Sequence, residues 1–399
     1  MSTQIRTSHA GSLPRSEALI AANRAKREEG RAPADFGELL RGSVVEIVAR
    51  QRELGLSEPN DGEYGHTMAS PLNFGAWWHY SFERTGGLEL AEGGLYNATP
   101  APAAAGGLEL TSFEQRRDRQ AFPGAYRDEA EAIHPRHNIA FPTIVGPLTY
   151  TGQEAVAADI ADLKAGLAAA GYEESRGFLN SLAPGSAARI GNSHYATDEE
   201  VVWAWADVLR EEYLAITEAG LIVQIDDPSI AESWDQISPE PSYADYRAYI
   251  QVRIDALNHA LRGIDPQRVR FHTCWGSWHG PHTTDIPFAE IVDQVLSVNA
   301  AGLTFEGANA RHEHEWRIWE DTALPDGKYL IPGIVSHATN VVEHPELVAE
   351  RIERYARLVG PERVVASTDC GLGGRIHPEI AFAKLASLVE GARLASARF

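Results

Sequence analysis

The chain has 399 residues, 44% of them hydrophobic, and a formal net charge of −21 at pH 7. That composition supports a large buried core, and the excess of acidic groups repels phosphate backbones and anionic lipid, which excludes nucleic acid and membrane surfaces as expected partners. No apolar run approaches the ~20 residues of a membrane span, Met1–Ser12 lacks signal-peptide character, and two cysteines make no disulfide framework, so the expected location is cytoplasmic.

In chain order, short runs at 4–9 and 57–63 are weak strand candidates, and the stretch 33–54 carries apolar residues at helical spacing. Residues 70–135 are rich in Gly, Ala and aromatics and read as a long insertion after the second strand, with room for a β-hairpin. A strand is expected at 140–146, a second, loop-rich insertion at 173–196, and a helix at 196–219 with a capping box from Thr197 to Glu200. Further strands are expected at 221–226, 268–274, 302–306, 329–335 and 364–370, with helices at 343–359, closed by Gly360, and at 378–396. About eight strands alternating with helices describe a (β/α)8 barrel. Residues 1–399 then form one catalytic domain with elaborated loops. The alternative, an open doubly wound sheet, lacks the Gly-x-Gly-x-x-Gly turn after its early strands.

His272 and Cys274 are two apart at the end of an expected strand, so they share one face. Glu306 and Cys370 end two other expected strands, at the barrel face where chemistry is usually built. Imidazole, thiolate and carboxylate at four corners suit Zn2+. A buried His and a buried Cys of purely structural role remain the alternative for a lone His-x-Cys pair.

From end to end, further motifs accompany this set: SHAGSLPR at 8–15, NDGE at 60–63, GPLT at 146–149, QIDDP at 224–228, HTC at 272–274, FEGANAR at 305–311, SHATNV at 336–341 and TDCGL at 368–372. Together they resemble the C-terminal catalytic barrel of cobalamin-independent methionine synthase. The resemblance implies zinc held by His272, Cys274, Glu306 and Cys370, and an acceptor amino acid bound by Ser12, Glu63 and Asp226. It also implies a homocysteine acceptor, a folate methyl donor and a role for His337 near that donor. Two departures stand out. The family's Asp-Glu-Pro reads Asp226-Asp227-Pro228, and Tyr150-Thr151-Gly152 follows GPLT where the family carries a Trp that stacks on folate.

The expected activity is therefore alkyl transfer between two small molecules, a thiol acceptor and a methyl or other alkyl donor. Three anionic ligands around a divalent ion leave a zinc-bound thiolate electron-rich and nucleophilic toward an electrophilic carbon. Glu63 and Asp226 would hold an ammonium group, and His337 would act as a general acid, against the reading of carboxylates and a histidine satisfied by the fold. His9 either lines the pocket or packs. His279, His282, His312 and His314 suggest a second metal or, more simply, supporting hydrogen bonds. Trp77, Trp78, Tyr80, Trp275 and Trp278 either cap a pocket or pack the insertion. Competing functions are thiol addition to an epoxide, as in epoxyalkane:coenzyme M transferases, decarboxylation of the uroporphyrinogen type, and a non-catalytic zinc-binding barrel. A homo-oligomer is compatible with all of them.

Overall fold

The computed structural model describes residues 4–70, 73, 75–94, 103, 107–112, 115–128, 130, 131, 133 and 140–399. Ten strands occur among them: β1 (Arg6–Thr7), β2 (Thr85–Gly94), β3 (Ala140–Tyr150), β4 (Phe178–Leu182), β5 (Gly191–Asn192), β6 (Ile222–Asp226), β7 (Val269–His272), β8 (Gly302–Phe305), β9 (Tyr329–Val335) and β10 (Val365–Thr368). Seven of these form one curled, all-parallel sheet in the order β1-β10-β9-β8-β7-β6-β4. The strands β4, β6, β7, β8 and β10 are buried along their whole length, as expected where helices cover a parallel sheet. Long helices, including Asp198–Glu218, Tyr243–Ala260, Pro345–Val359 and Pro378–Ser396, supply that cover.

The two edges of the sheet are linked by residues 57–60. The amides of Ser57 and Glu58 each donate to the Thr7 carbonyl at 3.0 Å, and Phe178 N–H donates to the Pro59 carbonyl at 3.1 Å. The expected strand at 57–63 is thus a single bridge at Asn60, followed by a turn in which Gly62 and Glu63 have φ of 73° and 59°. A strand cannot continue through two left-handed residues.

Two expectations need correction. The run at 140–146 belongs to β3, which lies in a separate three-stranded sheet, antiparallel to β2 and parallel to β5. Its apolar composition suggested a buried parallel strand, yet its side chains alternate in exposure and Val145 is 41% exposed, the mark of a half-covered hairpin. The first insertion contributes β2, whose antiparallel partner β3 lies beyond the insertion's expected end at 135, so a hairpin contained within 70–135 is not seen among the described residues. Conversely, β4 lies inside the stretch 173–196 read as a loop-rich insertion. Its polar residues Asn180 and Ser181 hid it. Both are buried, and both are satisfied, by Asp226 and Glu212.

Helix boundaries follow the local chemistry. Thr197 Oγ1 accepts from Glu200 N–H at 3.2 Å. The Glu200 carboxylate reaches back to Ala196 N–H at 2.9 Å, one residue before the cap, a variant of the expected box. Gly360 ends the helix Pro345–Val359 with φ 96°. No helix among the described residues is long and apolar enough to cross a membrane.

The β2–β3 hairpin and the helix Ala76–Glu83 are fastened by a buried ion network. Arg84 pairs with Glu212 at 3.0 Å and with Asp159 at 2.5 Å. Glu212 also accepts hydrogen bonds from the hydroxyls of Tyr80, Tyr150 and Ser181. Trp78 and Tyr80 are buried here, so they pack this segment onto the sheet. The Ala- and Pro-rich run ATPAPAAAGG, from 98 to 107, lies almost entirely outside the described residues.

Candidate metal centre

Three sheet strands, β7, β8 and β10, end at the same rim. β7 ends at His272, and Cys274 follows two residues later. Glu306 directly follows β8, and Cys370 follows β10 by two residues. One ligand atom each from His272, Cys274 and Cys370 lies within 4.8 Å of the others, the one such cluster of potential metal ligands among the described residues. A tetrahedral zinc ion with sulfur ligands at about 2.3 Å separates two sulfurs by roughly 3.7 Å, so small side-chain rotations suffice to enclose one.

The donor chemistry fits such an ion. His272 Nδ1 donates to Asp226 Oδ1 at 2.9 Å, while its Nε2 is buried without a partner. That is the usual arrangement of a ligating histidine, whose second nitrogen is oriented by a carboxylate. Burial pulls the His272 imidazole down, but the Asp226 bond and the nearby charges of Asp226, Cys370 and Glu306 outweigh it and hold the pKa up to about 9. Metal binding therefore has to displace a proton. The Cys274 thiol donates to the Cys370 sulfur, which holds Cys370 down to about 7 and pushes Cys274 well above its ordinary value. Glu306 stands beside this group without joining it. Its Oε1 accepts from Trp275 N–H at 3.1 Å and its Oε2 from Asn309 Nδ2 at 2.7 Å.

The other expected residues surround this group. Asp226 accepts further bonds from Asn180 Nδ2 at 2.8 Å and Gln224 Nε2 at 3.0 Å. Glu63 is buried, and burial first, then the Asp226 charge, raises its carboxyl to about 8. Gly11 is required next to it: a Cβ there would sit 2.3 Å from Glu63 Oε1 and 2.4 Å from Asn180 Nδ2. Ser12 is partly exposed and meets the Cys370 loop, its carbonyl accepting from Leu372 and Gly373 N–H, both at 2.9 Å. His9 has both nitrogens engaged, Nδ1 by Gly11 N–H at 3.2 Å and Nε2 by Gln51 Oε1 at 2.8 Å. His337 is buried with Nδ1 unpartnered, and burial, followed by the Arg375 charge, holds it neutral.

Three residues of the site escaped sequence reasoning. Asn180, inside the stretch read as a loop-rich insertion, and Gln224, quoted only as part of QIDDP, both donate to Asp226. Arg375, five residues past Cys370, is buried and donates through Nε to Ser277 Oγ at 2.9 Å and through Nη1 to the Asn73 carbonyl. It ties the Cys370 loop to the Cys274 loop and places a positive charge near both thiols and Glu63. The signal available was a lone arginine in a glycine-rich loop.

The histidine-rich stretches form a clamp behind the centre. Asp285 Oδ2 accepts from His282 Nδ1 and from His312 Nε2, both at 3.0 Å. His282 Nε2 donates to the Trp278 carbonyl at 3.0 Å, and His312 Nδ1 pairs with Glu315 at 2.9 Å. Trp275 stacks on His312 with ring centroids 3.8 Å apart. Trp275 and Trp278 are thus packing elements. Burial opposes the charged imidazoles, but Asp285 and its neighbours hold His282 up to about 9 and His312 up to about 10. Both exceed the ordinary 6.5, so the clamp's contribution is complete below that pH and is lost as the pH rises through 9 and 10. Thermal melts from pH 6 to pH 10 should show a steeper alkaline fall for the wild type than for His312→Gln. Parallel curves would mean the clamp carries no charge.

Residues 169–394 match the family model described as "Cobalamin-independent synthase, Catalytic domain". A methionine synthase of Thermococcus kodakarensis is 24% identical over 206 residues, covering 51% of this chain and 52% of the relative. The 2-hydroxypropyl-CoM lyase of Xanthobacter autotrophicus is 24% identical over 239 residues, 51% of this chain and 57% of that protein. The matched region therefore spans about half the length of these relatives. A solved B12-independent methionine synthase from Shewanella sp. W3-18-1, in complex with selenomethionine, superposes with a TM-score of 0.70 at 18% identity, covering 99% of both chains, and shows the same fold. With more than half of its residues inside the family model, the chain belongs to the cobalamin-independent synthase catalytic-domain family.

Proposed function

We propose that this protein is an S-methyltransferase that moves a methyl group from a methylfolate-type donor to the thiol of homocysteine, with His272, Cys274, Cys370 and Glu306 holding a zinc ion. The observation that carries the reading is the convergence of the chain's only two cysteines with an unpartnered His272 Nε2 at one rim of the sheet. When bound, zinc supplies deprotonation of the substrate thiol at neutral pH. Glu306, whose two oxygens are now held by Trp275 N–H and Asn309 Nδ2, would supply the fourth ligand. Glu63 and Asp226, two buried carboxyl groups that repel each other, gain from an ammonium group placed between them. Ser12 would bind the same acceptor, and neutral His337 would offer a ring N–H to the departing donor. His9 acts from behind by fixing the Gly11 turn. In this reading residues 1–399 make one catalytic domain, with the segment 57–60 as the eighth stave of a closed barrel.

Asp226 would then serve twice, orienting His272 and receiving substrate. Asp226→Asn should weaken zinc affinity by about 10- to 100-fold, measured by competition with a chelator. Unchanged affinity would detach Asp226 from the metal.

One observation favours a second electrophile. The relative from Xanthobacter is a coenzyme M enzyme, and the position after GPLT holds Tyr150, whose hydroxyl is committed to Glu212 at 2.8 Å. Addition of a thiol to an epoxide uses the same metal centre. Cobalt-substituted protein titrated with homocysteine and with coenzyme M, followed by assays with methylfolate and an epoxide, separates the readings. A new sulfur-to-cobalt charge-transfer band with homocysteine, and turnover with methylfolate, is the expected result. A spectrum unmoved by either thiol would make the site structural and overturn the proposal.

A further inference from the structure

At the opposite end of the sheet, where the strands begin, lies an open cleft of about 500 Å³. Its cationic lining is Arg6, Arg176, Lys328 and Arg363, in a chain whose net charge is −21. Two of these cations are bonded through neutral acceptors. Lys328 Nζ donates to the carbonyls of Val298 at 2.7 Å and Ala300. Arg363 Nε donates to the Lys328 carbonyl at 2.9 Å and its Nη2 to the Leu324 carbonyl at 3.0 Å. Carbonyls satisfy the donors but leave the charges uncompensated.

The cleft's carboxylates are Glu58, Glu173 and Glu362. Glu58 is divided between Arg6 at 2.6 Å and the fully buried Arg270 at 3.4 Å, while Glu173 and Glu362 are exposed. Three short 3₁₀ turns, Glu174–Arg176, Pro266–Arg268 and Pro361–Arg363, each deliver an arginine just ahead of a strand. Arg268 and Arg363 spend theirs on loop carbonyls. No hydrogen bond or ion pair engages the Arg176 guanidinium among the described residues. Burial draws Lys328 down to about 8.

We infer that this cleft is a binding site for a small multivalent oxyanion, separate from the metal centre and gripped by Arg176 with Arg6, Lys328 and Arg363. A guanidinium fork suits the paired oxygens of a phosphoryl group or of a polycarboxylate alike. Isothermal titration of the full chain with inorganic phosphate and with citrate, at ionic strength fixed by chloride, tests the site and its source. Saturable binding to at least one of them is expected, at least tenfold weaker in Arg176→Gln and unchanged in Cys370→Ser. Phosphate alone identifies a phosphoryl ligand, and citrate alone a polycarboxylate. Arg176→Gln removes no internal bond, so its melting curve should match the wild type. No saturable heat with either anion, equal affinity in Arg176→Gln, or loss of binding in Cys370→Ser would each overturn the site.

Discussion

Replacing either cysteine by serine should remove the metal and the proposed methyl transfer while leaving the fold intact. Cys274 and Cys370 supply two of the three clustered donors, and a serine hydroxyl at neutral pH is a poor zinc ligand. Changing a residue that merely supports a ligand costs about 10- to 100-fold in metal affinity or activity, so losing a ligand should cost more. The stability effect is expected to be small, within about 1–2 kcal/mol, because serine differs from cysteine by one atom and the neighbouring strands β7 and β10 are held by their own ladders. Zinc per chain after dialysis, turnover, and the melting temperature of Cys274→Ser and Cys370→Ser together check this. A serine variant that keeps full activity with no bound zinc would remove the metal from the mechanism.

Arg84→Met should be the most destabilising single change away from that centre. The guanidinium neutralises Glu212 and Asp159, and Glu212 is 1% exposed. Burial opposes the Glu212 carboxylate, but Arg84 and the hydroxyls of Ser181 and Tyr150 keep its pKa below the ordinary value. Without Arg84, a carboxylate remains inside the protein with no opposing charge, a situation that typically costs about 3–5 kcal/mol. For a chain of this length that corresponds to a fall in Tm of roughly 5 °C. Because Glu212 bonds Tyr80 and Tyr150, the loss should concentrate in the β2–β3 hairpin and the helix Ala76–Glu83. Hydrogen exchange would locate it there. The double variant Arg84→Met, Glu212→Gln should recover part of the loss, since it leaves one fewer buried charge. A single variant within 1 kcal/mol of the wild type would show that water reaches the network.

Parts of the molecule were legible from local chemistry. The helix Asp198–Glu218 announced its start through Thr197 and Glu200, and Gly360 marked the end of another. The strands β6 to β10 were legible as short, mostly apolar runs covered by helices, with the polar residues of β6 and β7 at alternate positions, Gln224 and Asp226 on one and Arg270 and His272 on the other. The reading failed where polarity was inverted. β4 sends Asn180 to Asp226 on the neighbouring strand β6 and Ser181, on its opposite face, to Glu212 of the covering helix Asp198–Glu218, and no local pattern encodes a partner dozens of residues away. β3 looked like a buried strand because apolar Val145 stands on its exposed face.

The same division holds for the candidate site. By itself the sequence determined which residues can bind a soft metal, since this chain has two cysteines and one of them lies two residues from a histidine. Side-chain alternation along a strand is a local property and survives any packing. Only the tertiary structure decided that Cys370 reaches Cys274, that Asp226 orients His272, that Arg375 lies beside both thiols, and that Glu306 stands just outside the three-residue group. Those facts depend on the curl of the sheet and the course of its end loops, where the energy of each contact is set by neighbours remote in sequence.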